Sequence, residues 1–183
     1  QMDHFNVPLD SLQIVDMPPP EGANALAQKA VDFACGYGGG WARMQEVGDV
    51  LLTGPEKQEI GILVFDVTSV PAAFAAENGD ILSKFLKVTA DANAEWNANS
   101  SDEMLAVIAE QSGMDLEAAR SAIGTMSFPS IEDQLSGAWL GGTAAPFMKG
   151  VADVFVEAGS IDSALDSYEG ALNTAPLEAA GNM

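Results

Sequence analysis

The feature that most constrains this chain is a change of pattern at Pro71. Before it, short apolar, β-prone runs are separated by Pro- and Gly-rich turns; after it, apolar residues recur at helical spacing. The strand candidates are Leu12–Val15, Val31–Tyr37, Val50–Leu52 and Gly61–Val70. Helical stretches at Glu21–Ala30 and Trp41–Glu46 fall between them. Alternation of this kind predicts an α/β layer with a small parallel sheet. Beyond Pro71, Ile81, Phe85, Val88, Ala92 and Trp96 predict one long helix with an apolar face. Ser100 with Glu103, Asp115, and Ser130 with Asp133 mark further helix starts, and Gly113 and Gly159 mark ends. Phe147, Val151 and Phe155 lie one helical turn apart, and Ser160 is placed to open a last helix over Ile161–Tyr168. So many helices need more sheet to cover them than three or four strands provide, which predicts further strands upstream of Gln1.

Charge narrows the function. Twenty-seven acidic residues against seven Lys and Arg give a formal net charge of −20. Such a surface repels a phosphate backbone and an anionic bilayer, and no run approaches the roughly 20 apolar residues of a transmembrane helix, so neither nucleic-acid binding nor membrane insertion is expected. It also suits a salt-rich habitat, where counterions screen self-repulsion. With 48% hydrophobic and 19% charged residues the composition is that of a packed globular protein. One cysteine, Cys35, and one histidine, His4, supply no internal disulfide and no Cys/His zinc site, so no metal or cofactor is expected. No nucleophile stands beside His4 in sequence, the thiol of Cys35 falls within an apolar strand candidate, and the acidic residues show no metal-ligand spacing. An enzyme is therefore not expected. The first residue is Gln1, consistent with a removed signal peptide or with a start partway through a larger protein.

The order of segments in Val15–Thr53 (VDMPPPEGANALAQKAVDFACGYGGGWARMQEVGDVLLT), followed by GILVFDVTSV and by GSIDSALDSYEGALNT, resembles the periplasmic solute-binding proteins of ABC importers, in the taurine, alkanesulfonate and nitrate family. The resemblance implies a partial periplasmic-binding-protein-like α/β fold: one small parallel-sheet lobe plus the C-terminal helices of the other lobe. Residues 1–65 would form the second, central lobe, and residues 66–183 a hinge strand and a mainly helical part returning to the first lobe. It further implies export to the periplasm, a monomer, a small zwitterionic or anionic solute as ligand, and an ABC permease with its ATPase as partners. Taurine or a related amino-sulfonate is the first choice of solute. Simple sulfonates, nitrate, a thiamine-precursor pyrimidine, or a pyrimidine-synthase-like enzyme of the same fold are the alternatives.

Four residues are the main candidates for recognition. Asp66 sits inside an apolar run, where an unpaired carboxylate is costly, so it should meet a ligand ammonium, a nearby Lys or Arg, or a local turn; the resemblance assigns it the ammonium. Tyr37 ends its strand candidate, as an aromatic wall or as a half-buried core residue. Gly38, among Gly36, Gly39 and Gly40, either lets backbone N–H groups approach an anion at a helix N-terminus or simply makes a tight turn. Pro19, with Pro18, Pro20 and Glu21, follows a strand end and could line the same crevice. Trp139 with Gly141 and Gly142 either faces the cleft or belongs to the core.

Overall fold

The computed structural model describes Met2 and residues 4–183, and among these residues it contains helices and no β-strand. The expected α/β fold with a parallel-sheet lobe is thereby overturned. The helices are α1 (Pro19–Ala27), α2 (Gly38–Gln45), α3 (Gly54–Glu59), α4 (Ala72–Glu77), α5 (Gly79–Ala98), α6 (Asp102–Ser112), α7 (Leu116–Ile123), α8 (Ile131–Leu135), α9 (Ala144–Glu157) and α10 (Ala175–Gly181). Short 3₁₀ turns lie at Leu9–Ser11 and Glu169–Ala171.

The physical reason for the missing sheet lies in the backbone. A strand is stabilised by a partner, and its propensity measures fit to a pleated, half-buried surface rather than an intrinsic preference. Gln13–Val15, Val31–Gly36, Val50–Leu52 and Leu63–Val70 make no backbone hydrogen bond among the described residues. Each β-prone run is irregular chain whose amides are left to water, and Ile14, Val15, Phe33, Leu51, Val64 and Val67 stay exposed along them.

Helix boundaries follow local chemistry closely. Ser101, one residue after the expected cap, accepts a hydrogen bond from the Met104 amide at 3.2 Å and opens α6. At the other end Gly113 adopts φ 67°, and the Met114 amide donates back to Ala109 O, closing the helix as a left-handed cap. Asp115 caps α7 by accepting from the Ala118 amide at 2.8 Å, and the Ser130 hydroxyl accepts from the Asp133 amide at 3.1 Å to open α8. Thr53 follows the strand candidate Val50–Leu52. Its amide and hydroxyl both donate to Glu56 Oε2, a reciprocal box at the start of α3 that holds the Glu56 carboxyl below the usual range. The helix expected over Ile161–Tyr168 does not form; α10 forms further on, with Pro176 in its first turn and Thr174 donating to Glu178.

The chain divides into two compact units. The first holds the chain up to Glu56 together with Ser100–Ser127. Within it α1 packs on α2, α2 on α7, and α6 on α7. Its buried residues are small, Ala23, Ala109 and Ala119, apart from Met44 and Leu105. An exposed ion pair, Arg120 to Asp102 at 2.7 Å, ties α7 to α6. The second holds Lys57–Asn99 and Phe128–Met183. There α10 lies on α5 and α8, burying Leu82, Leu177 and Ala180, and Asn97 donates its side-chain amide to Phe128 O at 2.8 Å.

The long helix α5 appears where periodicity placed it, with the opposite face covered. Leu82 and Ser83 are buried and Leu86 is half-buried, whereas Ile81, Phe85, Val88 and Ala92 face solvent. A helix whose covered and apolar stripes differ carries two usable faces, and only one of them is occupied within its unit.

Candidate functional site

Around Asp66 the chain alternates as an extended segment must. Leu63 is buried and Phe65 half-buried, while Val64 and Asp66 point outward. Phe65 is the anchor, edge-on to Trp139 at 5.9 Å between ring centroids and tilted against Phe147 at 5.8 Å. The contact with Phe65 gives half-buried Trp139 a packing role. The two ring contacts also turn the next side chain, Asp66, into water. The expectation that Asp66 is a carboxylate buried in a strand is therefore corrected: it is exposed, and among the described residues it forms neither an ion pair nor a hydrogen bond.

Pro19, Gly38 and Tyr37 belong to the first unit, whereas Asp66 belongs to the second. Pro19 is the first residue of α1, with Pro20 beside it and Glu21 exposed in the first turn, where the helix dipole favours an acid. Tyr37 precedes α2 in extended conformation and is 77% exposed, so it is neither a strand end nor a half-buried core residue. Gly38 opens α2 at φ 56°, a conformation that costs glycine least. The packing role falls on the third glycine of the run. A Cβ on Gly40 would stand 2.8 Å from both the carbonyl carbon and the Cβ of Pro19, so α1 and α2 meet through a bare Cα. At Gly36 a Cβ would lie 2.8 Å from the end of the Met44 side chain, a flexible group that can move aside. Within the run, helix approach accounts for Gly40 alone, since a Cβ on Gly38 or Gly39 would meet nothing within 4 Å.

Gly141 and Gly142 have an equally local explanation. A Cβ on Gly142 would lie 2.5 Å from Gly137 O, and one on Gly141 would collide with Leu135 O. The turn between α8 and α9 is closed by amides donating back, Leu140 to Gln134 O at 3.0 Å and Thr143 to Gly137 O at 3.1 Å.

The apolar spacing along α9 coincides with a surface feature of the second unit. Phe147, Val151 and Phe155 on α9 line a shallow open groove of about 280 Å³, completed by Met148, Ala152, Ile161 and Tyr168. Its walls carry no charged group, so it offers contact area and no polar anchor.

Cys35 is exposed on irregular chain, which corrects its expected place inside a strand, and His4 lies edge-on to its neighbour Phe5 at 5.0 Å. Among the described residues no three His, Cys, Asp or Glu side chains gather where they could hold a metal ion, and no helix is long and apolar enough to cross a membrane. Comparison with protein-family models, with curated proteins and with solved structures finds no match to this chain.

Proposed function

We propose that the chain is the solute-binding component of an ABC importer, exported to the periplasm, which captures taurine or a related small amino-sulfonate and passes it to a permease with its ATPase. The reading is one of binding without catalysis. Its support in sequence is the ordered resemblance of Val15–Thr53, Gly61–Val70 and Gly159–Thr174 to that family. One structural observation bears on its chemistry. The Asp66 carboxylate is free of any Lys or Arg among the described residues, and it stands on an apolar run that Phe65 pins to Trp139 and Phe147. A ligand ammonium would meet a carboxylate that no internal cation already neutralises.

The exposure of Asp66 sets the scale of the effect. An ion pair in open solvent contributes about 1 kcal/mol or less, which is roughly fivefold in affinity. Calorimetric titration with taurine and with ethanesulfonate, which lacks the amine, separates the alternatives. Asp66→Ala is expected to weaken taurine binding about fivefold and to leave ethanesulfonate unaffected. Equal affinity of the native chain for both solutes favours a binder of simple sulfonates, and unchanged taurine affinity in the variant removes Asp66 from the site.

A further inference from the structure

The exposed stripe of α5 has the spacing of a helix-pairing seam. Ile81, Phe85, Val88 and Ala92 follow one another at steps of four, three and four, the d-a-d-a order of a heptad. Three of them are 58%, 54% and 70% exposed, in that order, although they are among the larger apolar side chains of the helix. The opposite face is already occupied by α10. The helix runs 20 residues, about 30 Å, so the stripe lies in its N-terminal two thirds and is flanked by regular backbone.

We propose that this stripe is a self-association surface, covered by the same stripe of a second copy running antiparallel. The charges beside it select that occupant and that direction. In an antiparallel pair, an a residue meets a d residue of the other helix, so Phe85 stacks on Val88 of the second copy and Ile81 on its Ala92. All four residues are then covered in one register about a two-fold axis. The g positions of that register are Lys84 and Asp91, and g faces g across an antiparallel seam. Lys84 of each copy thus meets Asp91 of the other, twice by symmetry. Lys84 is free to do so, since its own contact to Asp80 is long, 4.0 Å, and its side chain is 70% exposed. Asp91 already accepts from Lys87 at 2.6 Å and has lone pairs to spare. A parallel pair would place Lys84 beside Thr89 and leave both charges without this match.

Two effects limit the affinity. The paired segment, residues 81–92, covers well under the roughly 800 Å² per partner of a standard stable interface. Each copy also carries a formal charge of −20, a repulsion that salt screens at distances beyond about 8 Å under physiological conditions. The dimer is accordingly weak and is strengthened by moderate salt. It differs from the monomer that the family resemblance implies.

Sedimentation equilibrium over a wide concentration range, with circular dichroism to verify helix content, tests the proposal on the intact chain. The native chain is expected to dimerise reversibly. Phe85→Glu and Val88→Glu, both at exposed positions, should fold normally and weaken the dimer at least tenfold. Lys84→Asp alone should weaken it severalfold, and the swap Lys84→Asp with Asp91→Lys should restore it. A native chain that stays monomeric at every concentration overturns the proposal and leaves the stripe to a different partner. A dimer indifferent to Phe85→Glu, or one that the charge swap fails to restore, overturns it equally.

Discussion

Leu105→Ala is expected to destabilise the unit that contains α6 and α7 by about 2–5 kcal/mol, the range for emptying a leucine-sized site in a packed interior. Leu105 is 1% exposed and is, among the described residues, the one large side chain that is fully buried. Of its buried companions in that unit, Ala23, Ala109 and Ala119 each remove far less apolar surface from water, and Met44, 4% exposed, is the one other large buried side chain. A domain is held by only about 5–15 kcal/mol in total, and a small one by less. The substitution should therefore shift a urea melt to much lower denaturant and, at the upper end of the range, leave the unit unfolded in buffer. A cost below about 1 kcal/mol would mean that α6 does not use Leu105 as its anchor.

Two neighbouring glycines should respond in opposite directions. Gly40→Ala forces a methyl into the backbone of Pro19, which cannot rotate away, so α1 and α2 must part; the expected cost is about 1–3 kcal/mol, as for other overpacked sites. Gly39→Ala places its methyl in open space within the same helix, and it should stabilise by about 0.5–1 kcal/mol through the lost freedom of the unfolded chain. Thermal melts of the two variants decide the matter. If both destabilise alike, the run acts as a flexible turn and the close approach of α1 to α2 is not what the glycines provide.

Local chemistry in the sequence was readable and long-range pairing was not. The caps at Asp115 and Ser130 and the stop at Gly113 rest on bonds within four or five residues, and they stand where the residue types place them. The Thr53–Glu56 box was visible as a T-x-x-E pattern, but the apolar Val50–Leu52 before it invited a strand instead. Strand candidates failed together because each depends on a neighbour that no local pattern supplies. Leu63–Val70 is as β-prone as any run in the chain and still has nothing to pair with. In α5 the periodicity of Ile81, Phe85 and Val88 was real, yet periodicity marks an apolar face without stating whether anything covers it. The reasoning for Asp66 failed at the same step: a polar residue in an apolar run is buried only if the run is, and Phe65 takes the inward position that leaves Asp66 in water.

The unpaired run Leu63–Val70 also gives the acidity of the chain a colloidal meaning. Bare amides next to Val64 and Val67 are a ready template for fibrillar stacking, and like-charge repulsion between molecules is the most general barrier against it. With seven basic residues in 183, acidification through the carboxylate range dismantles that barrier long before it reverses the sign of the charge. The solution should then turn cloudy on mild acidification, with turbidity arising from the Leu63–Val70 segment rather than from loss of the helices.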